Sequence, residues 1–104
     1  MIGEISARDA AAALQAGDHI LLDVREPIEL EAAAVAGALH IPMGEIPARL
    51  DEIPRDRTVI CMCHIGGRSM QVAAFLGAQG YAQVLNMTGG IEAWLADVDP
   101  GAAG

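Results

Sequence analysis

The sequence predicts an α/β domain with a mostly parallel sheet, on three observations. Two apolar runs, "HILLDV" at 19–24 and "TVICMC" at 58–63, are continuous rather than alternating. Strands covered on both faces read this way, and such strands belong to parallel sheets. Segments with helical character lie between and around them, so strands alternate with helices along the chain. Glycine and proline mark the joints, at Gly17, Pro27, Gly80 and the pair Gly89–Gly90.

The elements follow in order. "SARDAAAALQAGD" reads as a helix, with Ser6 and Asp9 forming a capping pattern and Gly17 as the stop. "HILLDV" is a strand, and Pro27 sits where a helix can begin. "ALHIP" is a weaker strand, and "EIPARLDEI" a short helix opened at or just before Pro47. "TVICMC" is the central strand. "SMQVAAFLGAQG" is a helix ending at Gly80, with Val72, Phe75, Leu76 and Gln79 along one side. "QVLNM" is a last strand, and "GGIEAWLADV" a glycine turn into a final helix. One domain over residues 1–99 is expected, followed by a flexible tail at 100–104.

Composition narrows the function classes. The formal charge is −8, from six arginines, no lysine and an excess of carboxylates. A nucleic-acid binder would need a basic face. No apolar run is long enough to span a bilayer, and "MIGEISARDAA" lacks a basic-then-apolar signal pattern, so no membrane association and a cytoplasmic setting are expected. Cys61 and Cys63 are too close for a useful disulfide, and reduced thiols are the simpler reading. Metal binding through "CMCH" would require ligands that two cysteines and three histidines poorly supply. No metal or cofactor is expected, and nothing demands more than a monomer.

The chemistry concentrates in "CHIGGRS" at 63–69, at the carboxyl end of the central strand, where open α/β sheets bind their ligands. Gly66 and Gly67 allow the backbone to turn successive N–H groups inward around an anion. The helix opened by Ser69 adds free N–H groups and a positive dipole end, and Arg68 adds a fixed charge. In such a cup a cysteine pKa falls from about 8.5 to roughly 3.5–7.5. A reactive Cys63 thiolate is therefore expected from the residues alone, with Cys61 an inert core thiol.

With these motifs the chain resembles the single-domain rhodaneses, a family of sulfurtransferases. The matching stretches are "LLDVREPIE" at 21–29, "GALHIP" at 37–42, "CHIGGRS" at 63–69, then "AAFL" and "GY", and "NMTGGIEAW" at 86–94, in the family's order over nearly the whole chain. The resemblance implies a rhodanese-like fold with a five-stranded parallel sheet flanked by helices. It implies that Cys63 accepts a sulfane sulfur as a persulfide, cradled by His64, Ile65, Gly66, Gly67 and Arg68. Asp23 and Arg25 would organise the site from the neighbouring strand end. The donor would be thiosulfate or a persulfide; a thiol, cyanide or a sulfur-accepting protein would take the sulfur. The chain departs from the family's pattern at Leu30 and at "AAV" (33–35), where an aromatic residue and Gly-His-Ile are usual.

Each of these residues also has a plainer reading. His64 is either a base or substrate contact, or an exposed loop residue serving through its backbone; a low-pKa thiolate needs no base, which favours the second. Asp23 and Arg25 are a buried pair or loop brace at least as readily as substrate contacts. Arg68 can spend its guanidinium on a carbonyl or carboxylate. Ser69 reads as an N-cap, His19 and His40 as structural, and Glu26, Glu29 and Glu31 as a solvated face. Two other functions fit the scaffold. A phosphatase or arsenate reductase would place a cysteine and arginine similarly, but with a loop one residue longer than the six from Cys63 to Arg68. A rhodanese-like interaction module would have no need of the intact cysteine loop.

Overall fold

A computed structural model of the chain describes residues 2–102. Five strands form one sheet in the order β1-β5-β4-β2-β3: β1 (Gly3–Ile5), β2 (His19–Asp23), β3 (Leu39–His40), β4 (Thr58–Met62) and β5 (Val84–Met87). Every pairing is parallel, with Leu22 beside Cys61 and Cys61 beside Asn86 in the two central ladders. The continuous apolar run at 58–62 is buried at every position, as a strand covered on both faces requires.

Alternation along β2 and β4 sorts their side chains into two cores. Leu22, Val59, Cys61 and Cys63 face the layer that holds α3 (Gly67–Ala78). Leu21, Ile60 and Met62 face the layer of α1 (Ala7–Ala16) and α4 (Gly90–Asp97), with Ala7, Ala10, Ile91 and the buried Trp94. The short α2 (Pro27–Ala32) follows β2. From β2 the chain continues to β3 on one side; from β4 it continues to β5 on the other. The crevice between the carboxyl ends of β2 and β4 is thus the topological switch point.

Local chemistry accounts for the helix ends. Ser6 Oγ accepts the Asp9 N–H at 3.1 Å, and Gly17 closes α1 in the left-handed region at φ 94°. Pro27 occupies the first turn of α2, where its missing N–H costs nothing. Along α3, Val72, Ala73 and Leu76 are buried and Phe75 half-buried, while Gln79 is exposed. The expected helix at "EIPARLDEI" is instead a 3-10 segment, Pro47–Glu52, kinked at Arg49. Tyr81 braces its C-terminal end: the hydroxyl lies 3.0 Å from Leu50 O and 2.7 Å from the carbonyl of Ile53, the residue that follows the segment.

The sequence reading missed β1. Three residues with an exposed pattern carry no periodicity, and this edge strand exists because β5 offers it a ladder. Pro100–Ala102 forms a 3-10 turn whose Ala102 carbonyl accepts the Ala34 N–H at 3.2 Å. The remainder of the expected tail, residues 103 and 104, lies outside the described residues. No helix among the described residues is long and apolar enough to cross a membrane.

Gly90 is the tightest backbone position. Its φ is +57°, and a Cβ there would collide with the carbonyl oxygens of Cys63 and His64. Those same carbonyls accept the N–H groups of Ile91 and Glu92 at 2.9 and 3.3 Å. Gly90→Ala is expected to cost more than about 1 kcal/mol, because it adds strain and a clash where backbone meets backbone. Urea unfolding of the variant checks this, and wild-type stability would refute the packing argument.

Candidate active site

The nucleophile candidate and its cup come from one short stretch. Cys63 directly follows β4, and its residue is only 1% exposed. The chain then turns at Gly66, with φ 121°, and enters α3 at Gly67. This left-handed turn, which a side chain would strain, aims the Gly66 N–H at Cys63 Sγ, 3.1 Å away. The N–H groups of Arg68 and Ser69 in the first turn of α3 face the same sulfur. Burial raises the pKa of the Cys63 thiol; the Ser69 hydroxyl and the N–H groups of Ser69, Gly66 and Arg68 outweigh it, so the net displacement is downward. Cys61 has no such donors. Burial, and then the neighbouring Cys63 charge, pushes its thiol up to about 12.

Ser69 is not the N-cap expected of it. Gly66 holds that position, α3 begins two residues earlier, and Ser69 is fully buried in the first turn. Its Oγ lies 3.3 Å from Cys63 Sγ, 3.2 Å from Gly66 O and 2.5 Å from Asn86 Oδ1. A hydroxyl has one proton for these three acceptors. Asn86 on β5 is itself oriented by its Nδ2, which donates to Gly66 O at 3.2 Å and to Glu4 Oε1 at 3.4 Å. Asn86 therefore presents its oxygen to Ser69, and ionisation of Cys63 gives the hydroxyl proton a charged alternative.

The second wall rises from β2. Asp23 and Arg25 form a buried ion pair at 2.7 Å. Arg25 also donates to the carbonyls of Glu29 and Ala33 at 3.4 and 2.9 Å, which ties down the middle of α2 and its C-cap. The bond to Ala33 falls within the 33–35 stretch that departs from the family pattern, and it uses only the backbone of that stretch. His40 Nε2 reaches the Arg25 carbonyl at 2.7 Å; since that oxygen can only accept, Nε2 carries the proton.

The Arg68 side chain feels the Cys63 charge but is engaged by a carboxylate. Its guanidinium makes a two-pronged pair with Glu29, at 2.7 and 2.8 Å. Of the acidic group read as a solvated face, Glu29 is thus a structural partner of the loop, and its Oε1 also accepts the Glu26 N–H at 2.9 Å. Arg68 beside it holds the Glu29 carboxyl down, from 4.5 to about 2. The His64 side chain is exposed, with Nε2 2.7 Å from Glu92 Oε2. Ile65 projects outward, 64% exposed. Cys63, Gly66, Arg68 and Ser69 are brought together around one sulfur, Asp23 and Arg25 brace the neighbouring wall, and the side chains of His64 and Ile65 form the rim. Sequence reasoning missed Glu29, although its spacing from Arg25 was visible, and Asn86, which carried no local signal.

The fold agrees with the comparisons with known proteins. The family model for the Rhodanese-like domain matches residues 6–97. A sulfurtransferase of Allochromatium vinosum is 43% identical over 95 residues, covering 90% of this chain and 89% of that protein. Thiosulfate sulfurtransferase GlpE of Tolumonas auensis is 38% identical over 90 residues, covering 86% and 85%. Among solved structures, a rhodanese-related protein from Thermoplasma volcanium superimposes with a TM-score of 0.84 at 29% identity, covering 92% and 93%. The chain belongs to the rhodanese-like domain family.

Three outcomes follow from the site's electrostatics, two at Cys63 and one at Glu29. Iodoacetamide is expected to modify Cys63 well before Cys61 at neutral pH, and Ser69→Ala to shift the Cys63 alkylation profile to higher pH by removing a donor to the thiolate. Peptide mass mapping across pH checks both; an unmoved profile in the variant would remove Ser69 from the cup. Glu29 makes a stability contribution of the opposite pH sense to a raised group. Its folded pKa is depressed, so the contribution is complete above about 4.5 and is lost as pH falls toward about 2. Urea midpoints over that window are expected to fall more steeply for the wild type than for Glu29→Gln.

Proposed function

We propose that this protein is a rhodanese-type sulfurtransferase that moves a sulfane sulfur through a persulfide on Cys63. The observation that carries the reading is the coordination of Cys63 Sγ by the Gly66 N–H at 3.1 Å and the Ser69 hydroxyl at 3.3 Å, with further loop N–H groups around it. These are neutral donors fixed before the reaction begins, so they stabilise a negative sulfur without reorganising. The named activities of the relatives support the same class of chemistry.

In the first half-reaction the Cys63 thiolate attacks the outer sulfur of thiosulfate or of a persulfide. The S–S bond of the donor breaks, and sulfite or an organic thiolate leaves with the electron pair. In the second, a thiol or cyanide attacks the outer sulfur of the Cys63 persulfide and returns the thiolate. Splitting one transfer into two displacements at sulfur is covalent catalysis. The donors around Sγ serve both the attacking thiolate and the leaving thiolate. His64, Ile65, Gly66, Gly67 and Arg68 form the substrate-facing loop, while Asp23, Arg25 and Ser69 support it. A small-molecule donor and acceptor suffice, and the exposed rim also admits a sulfur-accepting protein.

Intact mass of the reduced protein before and after donor, then after cyanide, tests this. The wild type is expected to gain one sulfur and to lose it to cyanide as thiocyanate, whereas Cys63→Ser gains none. Steady-state rates are expected to follow a two-step exchange pattern without a ternary complex. Failure of thiosulfate and of every persulfide to load Cys63 would leave an interaction module as the better reading; Cys63-dependent turnover of a phenyl phosphate would favour a phosphatase.

A further inference from the structure

Every cation beside Cys63 already has a carboxylate. Arg68 is held by both oxygens of Glu29, at 2.7 and 2.8 Å. Arg25 is spent on the buried Asp23 and on two carbonyls. His64 Nε2 sits 2.7 Å from Glu92, and Glu26 lies close enough for Arg68 to feel its charge. Two guanidiniums and at most one imidazolium thus face four carboxylates, before the thiolate is counted. A two-pronged guanidinium is a strong holder of an oxyanion, and here that fork is occupied.

Beside the loop runs a groove of about 250 Å³, with Ala32, Ala33, Ile91 and Leu95 as its apolar lining and Arg25, Glu29, His64 and Glu92 as its polar residues. It offers contact to a carbon-bearing group. A sulfonate there would meet basic groups already paired with carboxylates, Arg25 with Asp23 and His64 with Glu92, and the carboxylates themselves.

We infer that this site selects its sulfur donor by charge through Glu29, favouring organic persulfides with a neutral organic group over the thiosulfate dianion. The inference rests on the sulfurtransferase reading and names the donor class for it. The step balances without an added oxidant or reductant. The Cys63 thiolate attacks the terminal sulfur of R–S–SH, the Sγ–S bond forms as the donor S–S bond breaks, and its electron pair leaves on the organic sulfur as RS⁻. The terminal proton stays on the new persulfide or passes to that thiolate. Glu29 touches neither reacting sulfur; it is a positioning residue that keeps Arg68 neutralised.

The test is single-turnover loading of the full chain with hydroxyethyl persulfide and with thiosulfate. For the wild type the persulfide is expected to load faster at low salt. Thiosulfate loading is expected to accelerate between about 0.01 M and about 0.15 M ionic strength, where the Debye length drops from about 30 to about 8 Å; persulfide loading is expected to stay nearly flat. Because the whole chain is acidic, Glu29→Gln isolates the local effect. It is expected to raise the thiosulfate-to-persulfide ratio of rate constants about tenfold, the equivalent of about 1.4 kcal/mol. An unchanged or lower ratio in a folded variant would overturn the inference and leave the sulfurtransferase reading standing. Should the variant fail to fold, faster loading of the wild type by thiosulfate at low salt would overturn it equally. Loading by neither donor would overturn both.

Discussion

The buried pair between Asp23 and Arg25 is the constraint on which the rest of the site depends. It lies at the end of β2, beside the switch point of the sheet, and Arg25 spends its remaining N–H groups on carbonyls of α2. That fixes where Glu29 stands, Glu29 fixes Arg68, and Arg68 belongs to the turn whose N–H groups surround Cys63. Removing one member of a buried pair leaves an uncompensated charge, typically at a cost of about 3–5 kcal/mol. Here the loss would also release the wall of the active crevice. The pair is therefore better understood as a spacer between two strand ends than as a reservoir of stability.

The loop uses two kinds of electrostatics for two purposes. The cations beside Cys63 are each paired with a carboxylate, setting the shape of the mouth and the sign of its field. The sulfur itself is met by dipoles: backbone N–H groups and one hydroxyl. Dipoles stabilise a negative sulfur locally without attracting every anion in solution, since their field decays faster than that of a net charge. This division separates how reactive Cys63 is from what reaches it.

Much of this was legible in the sequence. The two buried strands showed themselves through uninterrupted apolar runs, α1 through Ser6 and Gly17, and the cup through the coincidence of cysteine, glycines and helix start. Contacts that join distant segments were not legible. β1 has three residues and no periodicity, and it is a strand only because β5 offers it a ladder. Asn86 reads as one polar residue in a weak strand until β5 is laid beside β4, where it orients Ser69. Ser69 itself was misread because the N-cap preference of serine is a local rule, and the tertiary need for a donor to sulfur prevailed. Glu29 looked like solvated charge because its partner lies 39 residues away.

The bond from Asn86 to Glu4 spans 82 residues, and the one from Thr88 to Glu4 spans 84. Contacts of such separation carry the largest loop-closure cost and give a fold a high contact order. The last support beneath the nucleophile is thus the meeting of the first strand with the last. Cys63 precedes Asn86 by 23 residues, so its thiol lacks the braced cup that makes it a ready thiolate until the later part of the chain has been made and folded. The order of translation itself delays the appearance of a reactive sulfur until the rest of the domain is there to hold it.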